Sequence, residues 1–325
     1  MNREPCPRLL VAVPVPEGVA GRARADFAAL LSQDVELSAD QISTLLVANP
    51  SVAAVLVSSR VRVDAGLLRG MAGQVRIVSS CSAGVDHIDL VAASQLGVQV
   101  TNTPDVVTEA TADMAMLLML GAARRMREYG RVMDSGWNVR FALGEMLGVD
   151  LNGRTLGIFG MGRIGQALAQ RARAFGMRIA YFNRRRLRPD QERGAQYCAT
   201  LEELLSISQV LSLHAPGGAA LTGVIDQSAL ALLPKGAILV NTARGGLVNE
   251  SDLLAALDSG HIAAAGLDVF CAEPAYDLRF RGRVQVFMAP HMGTATRETR
   301  HAMGFRALEN VAAALAGATP RDIVS

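Results

Sequence analysis

The sequence predicts an α/β protein whose strands lie in parallel sheets and whose chain divides into two domains. Short apolar, β-prone runs alternate with segments of helical periodicity, which is the pattern of parallel strands joined by crossover helices. The chain has 325 residues, too many for one ordinary core, and 50% of them are hydrophobic, enough to fill two cores. The predicted strands are residues 8–13, 53–58, 75–79, 98–100, 155–159, 177–182, 209–213, 237–241, 263–267 and 285–288.

A glycine-rich turn between two predicted strands indicates a dinucleotide site. Strand 155–159 leads into the turn, a helical pattern fills residues 163–174, and strand 177–182 follows. In a Gly-x-Gly-x-x-Gly turn the first glycine permits the tight bend, the second lets the backbone approach a pyrophosphate, and the third lets helix and strand pack closely. The helix N-terminus offers its N–H groups to the anion. Glycines that serve packing alone are the alternative for the three positions, Gly160, Gly162 and Gly165.

The end of the second strand of this unit predicts NADPH as the cofactor, with NAD as a second one that the site could accept. An NAD site carries a carboxylate about 20 residues past the first glycine, whereas an NADP site uses arginine to meet the 2′-phosphate. This chain has no carboxylate there, and we predict that the phosphate lies among Asn183, Arg184 and Arg185. The alternative is a solvated turn of arginines, and Arg186 is expected to be exposed in either case.

Composition and charge argue against several other classes of protein. The 32 basic and 30 acidic residues give a formal charge of +2, too small to predict binding to nucleic acid or to an anionic membrane. The longest apolar run, residues 114–123, is too short for a membrane span. The N-terminal residues predict a strand rather than a signal peptide, so we expect reduced thiols in the cytoplasm. Neither a metal site nor a disulfide framework is expected from the widely spaced Cys6, Cys81, Cys198 and Cys271.

Three chemically active side chains follow predicted strands in the second half of the chain. Arg244 follows strand 237–241, Glu273 follows strand 263–267, and His291 follows strand 285–288. Open α/β sheets bind their ligands at the carboxyl ends of strands, so these residues should share one rim of a sheet. Two long helical patterns flank this region. The first begins near Thr108 and should be buried on several sides, by core packing or partly by a subunit interface, and the second spans residues 296–316.

Several of these motifs, in the same order, resemble the D-specific 2-hydroxyacid dehydrogenases, above all the NADP-dependent glyoxylate/hydroxypyruvate reductases. The resemblance covers about two thirds of the chain. It implies two Rossmann-like, doubly wound domains with a cleft between them, usually in a homodimer. The substrate (lid) domain would comprise residues 1–101 and 293–325, and the dinucleotide-binding domain residues 102–292. The motifs are SSCSAGVDHIDL (79–90), TNTPDVVTEATADMAMLLML (101–120), the glycine turn, SLHAPGGAALTGVI (212–225), NTARGG (241–246), GLDVFCAEP (266–274) and PHMGTATRETR (290–300).

The resemblance implies a catalytic set of Arg244, Glu273 and His291. His291 would donate the proton to the carbonyl oxygen of a 2-keto acid as hydride reaches its carbon, and Glu273 would orient the imidazole and favour its charged form. Arg244 would clamp the substrate with its planar fork, although a simple ion pair between Arg244 and Glu273 is the alternative. The backbone N–H groups near Ala83 and Gly84 would meet the substrate carboxylate.

The cofactor contacts are also implied by the resemblance. Asp268 would face the nicotinamide carboxamide, or it could instead order a loop. His214 would line the cofactor cleft without donating a proton, and Trp137 would either reach a neighbouring subunit's active site or pack within its own chain. The full set is Thr108, Gly160, Gly162, Arg163, Ile164, Gly165, Asn183, Arg184, Arg185, His214, Thr242, Ala243, Asp268, His291 and Gly293.

The expected activity is NADPH-dependent reduction of a small 2-keto acid such as glyoxylate, hydroxypyruvate or 2-ketogluconate to the D-2-hydroxy acid. Two alternative functions are also compatible with the resemblance. A D-3-phosphoglycerate dehydrogenase is disfavoured because the chain stops near residue 325 without an appended regulatory domain. A non-catalytic, dinucleotide-sensing corepressor is disfavoured by the presence of Arg244, Glu273 and His291.

Overall fold

The computed structural model describes residues 8–325, which form two compact α/β units. The first unit contains the described residues up to Val107 together with Thr294–Ser325, and the second is Thr108–Gly293. Each unit contains one parallel sheet, of five strands in the first and seven in the second, so the predicted fold class is confirmed. Cys6, one of the cysteines considered above, lies outside the described residues.

The first unit has strand order β2-β1-β3-β4-β5, in which the order reverses between β1 and β3. Strands β1, β2 and β3 are wholly apolar, as is typical of a parallel sheet that is covered on both faces. Polar side chains cap the N-termini of several of its helices; the Asp64 and Asp89 side chains, for example, accept hydrogen bonds from first-turn N–H groups. The elements are β1 (Leu9–Val11), α1 (Glu17–Phe27), β2 (Leu30–Leu31), α2 (Ala39–Ala48), β3 (Ala54–Val57), α3 (Ala65–Met71), β4 (Ile77–Ser80), α4 (Leu90–Gln95), β5 (Gln99–Thr101) and the C-terminal helix (Arg297–Leu315).

The second unit has strand order β12-β11-β10-β9-β6-β7-β8. Its first six strands in sequence follow the 3-2-1-4-5-6 order of a dinucleotide-binding sheet, so the order reverses between β6 and β9. The elements are α5 (Thr108–Ala123), α6 (Met126–Asp134), β6 (Thr155–Phe159), α7 (Arg163–Ala174), β7 (Arg178–Phe182), α8 (Pro189–Glu192), β8 (Gln196–Tyr197), α9 (Leu201–Ile207), β9 (Val210–Leu213), α10 (Gln227–Leu232), β10 (Ala237–Asn241), α11 (Glu250–Asp258), β11 (Ile262–Leu267) and β12 (Val286–Met288).

All ten predicted strands are present, and the helix after the glycine turn has the predicted bounds. Helix α5 is largely a core element, as one of the two predictions for it required, because its buried residues pack against the sheet of the second unit. A Cβ at Gly121 would lie 2.5 Å from the Phe287 ring, so only glycine allows this approach. The strands β2 and β8 were not predicted, because two residues are too few to show an alternating pattern.

The described residues contain no helix long and apolar enough to cross a membrane. Within residues 8–325 there is also no group of three or more His, Cys, Asp or Glu side chains that could hold a metal ion. The thiols of Cys81, Cys198 and Cys271 are free.

Candidate active site

The glycine turn lies where the strand order of the second unit reverses. β6 ends at Phe159, and Gly160 adopts a left-handed φ of +99° that disfavours any side chain. Gly162 is the N-cap of α7 and brings no capping side chain, and a Cβ there would meet nothing within 4 Å. A Cβ at Gly165 would lie 2.7 Å from the Gly160 carbonyl oxygen. The three glycines therefore provide the bend, an open approach and the close packing that a pyrophosphate site needs.

Two buried hydroxyl oxygens in the same unit suit a polar ligand. Thr108 is the first residue of α5, and Thr242 directly follows β10. The Oγ1 atom of each is buried and has no hydrogen-bond partner among the described residues. A buried hydroxyl without a partner is costly, so a ligand that hydrogen-bonds these atoms would remove that cost. Together with the uncapped N-terminus of α7, whose first residues are Arg163 and Ile164, these atoms fit a bound dinucleotide.

Asn183 connects the end of β7 to the glycine turn. Its Oδ1 accepts a hydrogen bond from the Met161 N–H at 2.7 Å, and its Nδ2 lies 3.5 Å from the Met161 carbonyl oxygen. The following Arg184 and Arg185 are exposed, and neither forms an ion pair with any of residues 8–325. Part of the Asn183 amide is therefore already used by the turn itself, whereas two guanidinium groups next to it carry uncompensated positive charge.

His214 follows β9, on the other side of the point where the strand order reverses. Its backbone N–H donates to the Phe159 carbonyl at 2.7 Å, and its ring Nε2 lies 2.8 Å from the Ser212 hydroxyl. Burial of the ring lowers the pKa of His214 to about 4. The imidazole is therefore neutral at pH 7 and is a poor source of a proton.

His291 and Glu273 form a close pair beyond the ends of β11 and β12. The His291 Nδ1 atom lies 2.5 Å from Glu273 Oε2, and each side chain is 31% exposed. The other carboxylate oxygen accepts the Phe270 N–H at 2.9 Å. Burial alone would raise the pKa of Glu273. The hydrogen bonds from His291 and Phe270, together with the charges of His291 and Arg244, have a larger opposite effect, so the pKa lies below its ordinary value. The pair therefore consists of an ionised carboxylate that engages Nδ1 of the imidazole and fixes the orientation of the ring.

Asp268 holds the backbone next to His291. It is 1% exposed, and its two carboxylate oxygens accept the N–H groups of Met292 and Gly293, each at 2.7 Å. Its own carbonyl accepts the His291 N–H at 2.7 Å. Burial raises the pKa of Asp268. These contacts are those of the loop-ordering alternative, and a contact with the nicotinamide carboxamide stays a prediction.

Arg244 follows β10 and lies close enough to Glu273 for its charge to lower the pKa of that carboxylate. Its Nη1 donates to the Ala243 carbonyl at 2.7 Å. The structure thus brings Arg244, Glu273 and His291 together within the second unit. An acid held by a carboxylate, next to a planar cation, can protonate a carbonyl oxygen and bind an adjacent carboxylate.

The turn at Ala83 and Gly84 belongs to the first unit and follows β4. The Asn102 amide donates to the Ala83 carbonyl at 2.7 Å, and the Ser82 hydroxyl donates to the Gly84 carbonyl at 2.6 Å. The N–H groups of Ala83 and Gly84 have no hydrogen-bond partner among residues 8–325. Side chains thus fix the carbonyls of this turn, and its two donors remain available to an anion.

Reasoning from the sequence missed Glu192. Its carboxylate accepts hydrogen bonds from both Tyr181 and Arg186, behind the loop of residues 184–186 that carries three arginines, here called the arginine loop. One signal was present, because a tyrosine in a predicted buried strand needs a partner for its hydroxyl. The partner itself lies in the polar run RPDQERG, residues 188–194, which has no apolar pattern to mark a buried position.

Comparison with known proteins agrees with this geometry. A family model described as "D-isomer specific 2-hydroxyacid dehydrogenase, NAD binding domain" matches residues 116–293. The chain is 45% identical over 270 residues to a glyoxylate reductase of Aeropyrum pernix, covering 81% of this chain and 80% of that protein. It is 37% identical over 320 residues to a glycerate dehydrogenase of Hyphomicrobium methylovorum, covering 96% of this chain and 97% of that protein.

A solved structure shares the fold over nearly the whole chain. It is an NADPH-dependent glyoxylate/hydroxypyruvate reductase of Sinorhizobium meliloti in complex with NADP and malonate. Its TM-score is 0.88 at 30% identity, covering 99% of this chain and 97% of that one. The glycine turn, the pair of His291 and Glu273, and these similarities over most of the chain show that the protein belongs to the D-isomer-specific 2-hydroxyacid dehydrogenases, enzymes that use NAD(P).

Proposed function

We propose that this dehydrogenase reduces a small 2-keto acid, with glyoxylate, hydroxypyruvate and 2-ketogluconate as the candidate substrates, to the D-2-hydroxy acid with NADPH. The observation that carries the proposal is the 2.5 Å contact between His291 Nδ1 and Glu273 Oε2. Because Nδ1 is engaged by the carboxylate, Nε2 is the atom left to act on a substrate. That arrangement suits an acid that protonates an oxygen while the adjacent carbon is reduced.

In the proposed mechanism, each protein group has one task. NADPH, when bound, supplies the hydride to the carbonyl carbon. His291 donates its Nε2 proton to the carbonyl oxygen, where negative charge develops, and Glu273 stabilises the imidazolium before transfer. Arg244 binds the substrate carboxylate and the keto oxygen with its fork. For the turn at Ala83 and Gly84, carboxylate binding stays a prediction. The product is a neutral hydroxyl next to the carboxylate.

The preference for NADPH is supported by the exposed, unpaired charges of Arg184 and Arg185 and by the absence of a carboxylate at position 183. A charged hydrogen bond contributes about 1.5–3 kcal/mol, so removing either arginine should weaken NADPH binding by roughly tenfold to a hundredfold. The test is kcat/KM with NADPH and with NADH for wild type, Arg184→Ala and Arg185→Ala. Arg188→Ala is the matched control, because Arg188 already pairs with Asp190 at 3.1 Å on the surface. Equal use of the two cofactors by wild type would refute the preference.

The substrate is tested with a panel of 2-keto acids and both cofactors, followed by chiral analysis of the product. The proposal expects turnover of at least one of glyoxylate, hydroxypyruvate and 2-ketogluconate, and a D product from each chiral case. Oxidation of 3-phosphoglycerate in preference to these reductions would favour the phosphoglycerate dehydrogenase alternative. Binding of NADPH without turnover of any keto acid would favour the corepressor alternative.

We also propose a homodimer, because the segment of residues 137–143 exposes several apolar side chains. Trp137 is 60% exposed, and Leu143 is fully exposed. Exposed apolar patches of this kind mark protein interfaces. Light scattering should give twice the chain mass for wild type and a lower mass for a Phe141→Glu, Leu143→Glu double variant. A monomeric wild type would refute the dimer.

The cytoplasm is the proposed compartment, which the free thiols of Cys81, Cys198 and Cys271 support.

A further inference from the structure

A buried carboxylate, Glu192, lies behind the loop that carries the three arginines. Its side chain is only 9% exposed, although it is the last residue of the short helix α8. The Tyr181 hydroxyl donates to Glu192 Oε1 at 2.6 Å. Arg186 donates Nε to Oε1 at 2.8 Å and Nη2 to Oε2 at 3.1 Å. The carboxylate therefore has three charge-assisted or hydroxyl donors, two of them in the bidentate geometry that arginine forms best.

The same group of side chains holds the far end of the arginine loop. The Tyr181 hydroxyl accepts the Leu187 N–H at 3.0 Å, and the Arg173 guanidinium donates to the Glu192 carbonyl at 3.1 Å. The near end of the loop is held by Asn183, which bonds the backbone of Met161 in the glycine turn. Only two residues between these anchors, Arg184 and Arg185, remain without a side-chain anchor among the described residues.

The three arginines differ in whether a carboxylate compensates their positive charge. Arg186 pairs with Glu192, and its guanidinium lies over the Tyr197 ring, 5.4 Å from the ring centroid. The hydrogen bonds from Arg186 and Tyr181 hold the pKa of Glu192 below its ordinary value, so the carboxylate is ionised at neutral pH and compensates the Arg186 charge. The charges of Arg184 and Arg185 are not compensated by any described carboxylate.

We infer that Glu192, Tyr181 and Arg186 form a clamp that positions the loop, so that Arg184 and Arg185 bind the 2′-phosphate of the cofactor and Arg186 does not. This inference rests on the proposed preference for NADPH. Glu192 and Tyr181 are positioning residues, since they act through the loop and not by contact with the phosphate. A loop held at both ends loses less conformational freedom when the phosphate binds, which favours binding.

The inference is tested with two nucleotides that lack nicotinamide, so that catalysis does not enter the measurement. Calorimetry gives the dissociation constants of adenosine 2′,5′-bisphosphate and of AMP, and their ratio isolates the 2′-phosphate. Tyr181→Phe removes the hydroxyl without changing charge, and the ratio should fall roughly fivefold to twentyfold with AMP binding unchanged. The matched control is Tyr197→Phe, whose hydroxyl bonds no described residue and whose ratio should equal that of wild type.

A second variant tests the role assigned to Arg186. Glu192→Gln should also lower the ratio, because the bidentate pair is lost and the loop is released. Asp190→Asn is its control, since it removes one negative charge from an exposed position of the same short helix, α8. If Arg186 were itself a phosphate ligand, Glu192→Gln would free it and raise the ratio, which would overturn the inference. If Glu192→Gln does not fold, Tyr181→Phe decides, because it keeps the packed ring.

The two proposals fail in different ways. If wild type binds adenosine 2′,5′-bisphosphate no better than AMP, the NADPH preference itself is wrong. If wild type prefers the bisphosphate and Arg184→Ala abolishes that preference, but Tyr181→Phe and Glu192→Gln leave it intact, then the preference stands and the clamp is refuted. A loss of AMP binding in Tyr181→Phe equal to the loss of bisphosphate binding would also refute it, because the effect would then concern the whole fold.

Discussion

Two histidines follow strands of the same sheet, and their surroundings give them opposite character. His214 follows β9, its ring contacts the Ser212 hydroxyl, and burial lowers its pKa to about 4. His291 lies beyond β12, and its ring is 2.5 Å from the ionised Glu273. A hydroxyl can serve a neutral imidazole as donor or acceptor, whereas a carboxylate favours the imidazolium. Position at the rim of the sheet therefore does not identify the proton donor, but the partner of the ring does.

The backbone reinforces this difference. His291 has a left-handed φ of 55°, and Asp268 fixes the two residues after it through their N–H groups. Such a conformation is unfavourable for a residue with a side chain and persists only where neighbouring contacts determine it. His214, in contrast, continues directly from a strand, and its N–H extends the ladder to Phe159. His291, the proposed acid, is thus held by dedicated contacts, and the neutral His214 belongs to the scaffold of the glycine turn.

The largest expected effect comes from removing the acid. His291→Asn should lower the rate of keto-acid reduction by roughly 10²–10⁴, the usual contribution of a positioned general acid, and leave the dissociation constant of NADPH nearly unchanged. Steady-state kinetics and fluorescence titration of the cofactor measure the two quantities. His301→Asn is the control, since that ring bonds a carbonyl within the C-terminal helix. Turnover of His291→Asn at the wild-type rate would remove this residue from the mechanism.

Arg244 tests whether the acid acts on a substrate held by a planar fork. Arg244→Lys keeps the charge but loses the bidentate geometry, so KM should rise and kcat should fall, with kcat/KM lower by roughly 10- to 100-fold. Kinetics with a saturating cofactor gives both constants. If the substitution changes only the affinity for the cofactor, Arg244 does not bind the substrate.

His214 predicts a pH dependence of stability rather than of activity. Its pKa in the folded protein, about 4, lies below the ordinary value of 6.5. Between these values the unfolded chain binds a proton that the folded chain does not, so stability rises with pH through that window and is lost as pH falls. Chemical denaturation at pH 7 and pH 5 should show a loss in wild type about 2 kcal/mol greater than in His214→Gln. Equal losses of stability in the two proteins would mean that folding does not lower the pKa of His214.

The sequence predicted much of the second unit because its patterns are long and local. The strand, glycines and helix at 155–174 form one continuous motif, and Arg244, Glu273 and His291 each follow a recognisable strand. What could not be predicted depends on distant contacts. Asp268 was placed at a strand end, but its bonds to Met292 and Gly293 depend on how the β12 loop returns, 24 residues later.

Glu192 shows the same limit more sharply. Its burial follows from Tyr181 and Arg186, one in a strand and one in a loop, and nothing in the polar sequence around it distinguishes it from the exposed Asp190. The short strand β8, which follows it, is similarly invisible because two residues carry no period. Local patterns therefore indicate the elements and the site, and side-chain pairing between elements indicates which charges remain available.

The central claim, that Glu273 makes His291 the acid, is tested most directly by the pH dependence of kcat/KM for keto-acid reduction. The pKa of Glu273 lies below its ordinary value of 4.5, so in wild type the carboxylate stays ionised through the neutral range and its interaction is lost only as pH falls through that lowered pKa. In Glu273→Gln the imidazole loses this charged partner, so the limb on which kcat/KM falls as pH rises should move to lower pH. His214→Gln should leave this limb in place. An unchanged limb in Glu273→Gln, or an equal displacement in His214→Gln, would contradict the claim.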